Sequence, residues 1–261
     1  MNKNAYNEFK IALGESDAQC ECVEVFLRIA EQEYNNPDAF KLAANQYGVR
    51  VNNISTSEAC QRVREGFLIT VSRLFESYLS NVQCILNSIG NYNTVAKNDG
   101  ETLLTCIFKR IFDLSKRNNE NYTLYLLCDY YNLIRNSQAH VFDDTKKLSN
   151  AYSDLAVQLE SAPTFVCEKL NAPSAPDNIC FDDFILFSRA TKELAQRFFK
   201  SIDYDEQKVA NSIQLNRFSY LKNNKDRLCN KIKTELRDKY GISEESLDHI
   251  IDIVVKKIYN D

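Results

Sequence analysis

The run Val63-Arg64-Glu65-Gly66-Phe67-Leu68-Ile69-Thr70-Val71-Ser72-Arg73-Leu74-Phe75-Glu76-Ser77-Tyr78-Leu79 continues through Val82, Ile85, Leu86 and Ile89 with an apolar side chain every three or four residues. That spacing is the period of an α-helix with one broad apolar stripe. Ser55 and Glu58 stand where a capping box would open such a helix. From there to Ile89 the rod would be roughly 45 Å long. A stripe of that length needs other helices laid along it. The chain has only 6 glycines and 4 prolines in 261 residues, and 44% of its residues are hydrophobic. So few breakers favour long helices over strands and turns, and the expected class is all-α.

Working outward, Phe9, Ala12 and Leu13, then Val23, Phe26, Leu27 and Ala30, predict two helices, Ala5 to Leu13 and Ser16 to Tyr34, separated at Gly14. Asn36 and Pro37 predict the start of a third, with Gly48 at its left-handed end. Asn98 and Glu101 would restart the chain after an asparagine-rich loop, in a helix through Leu104, Ile107, Phe108, Ile111 and Leu114. A helix after Asn119 carries Tyr122, Leu124, Leu127, Tyr130, Tyr131 and Ile134, its tyrosines read as core. Asp143 or Asp144 can cap the next, Thr145 to Ser161. Residues 162–178 hold three of the four prolines and read as a surface loop. Residues 180–202 return to helix, and Ser243 to Tyr259 is amphipathic, fit either to pack on the body or to meet a partner.

The net charge of −4 gives no general attraction for polyanions, so any nucleic-acid contact must be a local patch. No apolar run reaches the roughly 18 residues of a membrane span, and the N-terminus lacks a signal-peptide core. The nine cysteines form no Cys-x-x-Cys and neither histidine stands at zinc spacing, so no metal or other cofactor is expected. Cys60, Cys84, Cys106 and Cys128 fall within apolar helical runs and read as small core residues of a protein in the reducing cytoplasm.

Chemistry concentrates in Leu133-Ile134-Arg135-Asn136-Ser137-Gln138-Ala139-His140-Val141-Phe142, which holds one of the two histidines. Histidine both gives and takes a proton near neutral pH, and arginine forks onto phosphate oxygens. Together they point to a phosphodiester. On a helix Asn136 and His140 share a face, whereas Arg135 leaves roughly 140° away from His140. Either the arginine curls round or a second copy of the helix completes the site, which predicts a homodimer.

Arg135-Asn136-x-x-x-His140, closing an apolar helix, resembles the Arg-φ-x-x-x-His motif of the HEPN superfamily (higher eukaryotes and prokaryotes nucleotide-binding). Glu65-Gly66-Phe67 through Phe75-Glu76-Ser77-Tyr78-Leu79 resembles the long first helix of several HEPN families, and the closing helix would be Phe184 to Ile202. The resemblance implies an up-and-down helical bundle over 55–204, with helical extensions at 1–54 and 205–261. It also implies a metal-independent endoribonuclease acting on an RNA substrate, in a toxin-antitoxin or phage-defence setting, with a neutralising or activating partner protein. His140 would serve as general base or acid, Arg135 would bind the non-bridging oxygens, and Asn136 would position histidine or phosphate.

Glu76 is either a surface carboxylate or the partner that orients Arg135. Lys109, Arg110, Lys116 and Arg117 make a solvated face and a charged helix end, or RNA-backbone contacts if the fold brings them near His140. Between Gln214 and Tyr240 eight Lys/Arg stand against three acids, with Phe218 and Tyr220 nearby, which fits a phosphate-binding strip or an ordinary charged helix face. Ala44, Gly48 and Ile54 have helix-turn-helix spacing, loosely echoed at Tyr240-Gly241-Ile242, but only Arg50 is a nearby cation, and the plainer reading is that each glycine stops a helix. A phosphate-cradling glycine loop, His-Glu-x-x-His and Gly-x-Ser-x-Gly are all missing. The readings are therefore a HEPN-type endoribonuclease, a non-catalytic HEPN-like dimerisation, RNA-binding or partner-binding module, and a helix-turn-helix regulator.

Overall fold

The computed structural model describes residues 4–52, 54–92, 100–112, 119–139, 145–242 and 244–260. These are all-α. Ten α-helices appear among them: α1 Ala5–Glu33, α2 Pro37–Gln46, α3 Thr56–Ser88, α4 Leu103–Ile111, α5 Glu120–Ala139, α6 Thr145–Ser161, α7 Phe181–Ser201, α8 Glu206–Ser212, α9 Lys225–Tyr240 and α10 Glu244–Asn260. Short 3-10 turns occupy Phe165–Cys167, Pro176–Asn178 and Leu215–Leu221, and Gly90 meets Tyr204 in an isolated antiparallel bridge. No described helix is long and apolar enough to cross a membrane.

Local chemistry explains most of the boundaries. The Ser55 amide donates to Glu58 Oε2 at 2.8 Å while the Glu58 amide donates to Ser55 Oγ at 3.1 Å, the reciprocal box that opens α3. Asn36 caps α2, and Gly48 ends it at φ +71 while the Val49 amide reaches back to the Ala44 carbonyl. Residues 47–55 then separate α2 from α3, far more than the roughly four-residue turn of a helix-turn-helix, so Gly48 is a helix stop. Asn119 Oδ1 accepts from the Tyr122 amide and opens α5.

Three expectations are corrected. Gly14 does not break the N-terminal run into separate helices. It lies inside α1, since a single glycine costs a helix only about 1 kcal/mol and the packed turns on either side outweigh that. The fourth helix begins at Leu103, capped by Thr102, whose Oγ1 accepts from the Thr105 amide at 3.1 Å; Asn98 lies outside the described residues, as do Asp143 and Asp144. The 162–178 loop is partly inserted, with Thr164 and Val166 buried.

The chain forms two compact units, one of Met1–Phe9, Glu76–Leu114 and Ala195–Asp261, the other of Lys10–Phe75 and Ser115–Leu194. In the first, the Tyr78 hydroxyl donates to the Ala195 carbonyl at 2.8 Å and the rings of Phe108 and Phe112 meet Phe198. Val209, Phe218, Leu228, Ile232, Leu236, Leu247, Ile250 and Val254 of its C-terminal region form a further buried cluster, so α10 spends its apolar face on the body of this unit. In the second unit Phe67 packs on Phe181 and Phe184, Tyr131 packs on Phe187, and α6 lies along α5.

The inner face of α1 in this second unit departs from the apolar reading. Cys20 and Glu24 are buried, whereas Val23 and Phe26 are exposed, Phe26 by 63%. The cause is Arg64 of α3, whose guanidinium grips Glu24 with Nε and Nη2 and Glu31 with Nη1 and Nη2, at 2.8–3.0 Å. Facing its arginine, the carboxylate is drawn inward. Among the helical cysteines Cys60, Cys106 and Cys128 are buried as expected, but Cys84 is exposed.

Candidate functional site

Arg135 and Asn136 sit in the last turns of α5, both half-buried. Arg135 Nη1 donates to Asn136 Oδ1 at 3.0 Å, and its Nε donates to Ser72 Oγ at 3.3 Å. Ser72 is fully buried on α3, and its hydroxyl donates in turn to Asn132 Oδ1 at 2.7 Å. A guanidinium held at two of its nitrogens has a fixed plane and direction. The relay runs Asn132, Ser72, Arg135, Asn136, with every member in the second unit. It turns a flexible cation into a positioned one, the arrangement an anion-binding group requires.

Earlier in α5, buried tyrosines are tied to α7 and the segment before it by hydrogen bonds. Asp183, fully buried, accepts through Oδ1 from the Tyr131 hydroxyl and the Ser174 amide and through Oδ2 from the Cys180 amide, each at 2.8 Å. Burial, then the Asp183 charge, pushes the Tyr131 phenol well above its ordinary range. Tyr130 donates to the Ser174 carbonyl, and burial likewise raises its phenol. Burial also raises the Asp129 carboxyl, against a smaller pull from Lys147.

His140, Lys116 and Arg117 lie outside the described residues. Glu76 is exposed and belongs to the first unit, its carbonyl accepting from the Ser80 hydroxyl at 2.9 Å. Lys109 pairs with Glu101. Arg110 donates to Asn87 Oδ1 at 2.7 Å and lies over the Tyr92 ring, its Nε and Nη2 buried with no acceptor among the described residues. Among the described residues no group of three His, Cys, Asp or Glu side chains could hold a metal ion.

Ser72, Asn132 and Asp183 are the polar residues that sequence patterning passed over. Their signal was a polar side chain on a buried stripe: Leu68, Ser72, Phe75 and Leu79 step along the buried face of α3, as Cys128 and Asn132 step along α5. No protein-family model, curated protein or solved structure matches the chain.

Proposed function

We propose that the chain is a metal-independent endoribonuclease of the HEPN type, built on an up-and-down bundle. The observation that carries the reading is the fixed pair Arg135–Asn136, anchored through Ser72, five residues before His140 in a motif that resembles the HEPN signature. RNA brings its own nucleophile, so the protein need only orient the 2′-hydroxyl, move protons and steady the phosphate. Arg135 binds the non-bridging oxygens, His140 transfers the proton, and Asn136 holds the arginine in place. A second copy supplies the opposing motif, making a homodimer in the cytoplasm, restrained by a partner protein.

A non-catalytic HEPN-like binding module is favoured by one observation: the guanidinium of Arg135 already has two acceptors within its own unit. Purified wild type, Arg135→Ala and His140→Ala incubated with total RNA in chelator separate the two readings. The nuclease reading expects 2′,3′-cyclic phosphate and 5′-hydroxyl ends that both substitutions abolish while the far-UV spectrum stays unchanged. Intact RNA with the wild type, 3′-hydroxyl ends, or strict magnesium dependence would overturn it.

A further inference from the structure

The C-terminal region of the first unit carries a surface that the nuclease reading does not use. The 3-10 segment Leu215–Leu221 repeats every three residues, so its side chains fall in three rows, with Asn216 and Ser219 exposed in one of them. Phe218 is buried in the inner row, with Leu215 and Leu221 packed against the same cluster. Arg217 and Tyr220 share another row, where Arg217 Nη1 donates to Glu235 Oε1 of α9 at 3.0 Å and Tyr220 is 72% exposed. Sequence patterning paired Phe218 with Tyr220 as aromatics beside the basic strip; only Tyr220 is available.

The Arg217–Glu235 bond fixes which flank of α9 adjoins Tyr220. Arg227, Lys231 and Glu235 follow one another at i, i+4 and i+8 on that flank, and the first two are exposed cations. Past Tyr220 comes exposed Lys222, whose carbonyl accepts from the Tyr259 hydroxyl of α10 at 2.7 Å. That bond sets a second ring, 49% exposed, beside the first lysine of the strip, and Lys225 is exposed just beyond. Among the described residues none of Lys222, Lys225, Arg227 and Lys231 forms an ion pair with a carboxylate. A chain with net charge −4 thus presents, between positions 222 and 231, four exposed cations without an ion-pair partner among the described residues, against the single acid Asp226, on the elements that carry or adjoin two exposed tyrosines.

We propose that this face of the 3-10 segment, α9 and the end of α10 binds single-stranded nucleic acid. Lys222, Lys225, Arg227 and Lys231 contact successive phosphates, while Tyr220 and Tyr259 stack on unpaired bases. Unpaired bases offer π-faces that a duplex keeps inside its stack, and lipid headgroups have no ring to stack, so the tyrosines favour a single strand over either. The surface lies in the first unit, whereas Arg135 and Asn136 belong to the second, so it stands whether or not the chain cleaves RNA.

The test uses the full chain in chelator with fluorescein-labelled 12-mers: 2′-O-methyl RNA, which cannot be cleaved by 2′-hydroxyl attack, single-stranded DNA, and duplex DNA. Anisotropy should show binding to one or both single strands, the comparison between them telling which is the ligand, with duplex weaker. Tyr220→Ala should weaken binding about tenfold. Arg227→Glu with Lys231→Glu should weaken it further and flatten the slope of log affinity against log salt by about 1.4, or about 0.7 per lost phosphate contact. Lys41→Glu, an exposed cation of the second unit, should leave binding unchanged. Equal affinity for wild type and the Tyr220 and Arg227/Lys231 variants would overturn the proposal. So would a preference for duplex that ignores Tyr220, or binding of phosphatidylserine vesicles but of neither single strand. Wild-type protein that binds the single strands yet leaves unmodified RNA intact would sink the nuclease reading alone.

Discussion

Arg135 Nε donates to the hydroxyl of Ser72 at 3.3 Å, so the cation of the proposed site is tied to a fully buried residue of a different helix. Removing that hydroxyl also takes the donor from Asn132 Oδ1. Ser72→Ala should therefore cost about 1 kcal/mol of stability in urea titration. It should lower RNA cleavage well beyond what that loss of folded protein explains. Unchanged cleavage with reduced stability would show that Arg135 needs no orientation from α3.

Asp183 answers three donors from a fully buried position. Asp183→Ala should destabilise the chain by about 3 kcal/mol or more, because each buried donor left without an acceptor costs about 1 kcal/mol or more. Tyr131→Phe removes only one donor and should cost about 1 kcal/mol. Thermal and urea unfolding of both variants checks the ratio.

Arg64 holds Glu24 and Glu31 together, and its hydrogen bonds draw the Glu31 carboxyl below the ordinary range. A carboxyl with a depressed folded pKa stabilises above its unfolded pKa and loses that contribution as pH falls through the folded value. Arg64→Met should cost about 2 kcal/mol at pH 7, since it removes the charged hydrogen bonds to Glu31 and leaves the buried Glu24 carboxylate with Arg28 alone. The gap between variant and wild type should narrow from about pH 4 downward, measured by urea unfolding across pH.

Asp129 runs the other way, its carboxyl raised mainly by burial. A raised folded pKa means that the folded state binds the proton more tightly, so stability is greatest below the unfolded pKa and declines as pH rises through the folded one. Asp129→Asn should be at least as stable as wild type at pH 7 and should lose the share of the pH dependence that begins above the ordinary aspartate range, about pH 4.

Gly241 ends α9 at φ +66, and a Cβ there would lie 1.8 Å from Phe199 Cζ. Gly241→Ala is strained by its backbone and by the ring together, and should lower stability by about 2 kcal/mol or more, read as a fall in Tm.

Helix identity was legible wherever a cap or a period wrote it into neighbouring residues. Ser55 with Glu58, Asn36 with Pro37, and Asn119 each act within four residues of themselves, so α3, α2 and α5 begin where expected. Which face of a helix turns inward is decided by residues far away in the chain. Val23 and Phe26 have the hydropathy of core residues, yet Arg64, forty positions beyond Glu24, turns the carboxylate inward instead. The candidate site follows the same division. Arg135 and Asn136 stand out as a local motif, whereas Ser72 is an unremarked serine until α3 and α5 are brought together.

The division of the chain between its two compact units changes at positions 9/10, 75/76, 114/115 and 194/195, and the first, second and fourth of these fall inside α1, α3 and α7. At those three points the backbone passes from one unit to the other as continuous helix. Cloning either half alone would mean severing three helices and exposing their apolar stripes. Neither unit is therefore a portable module that can be excised between helices.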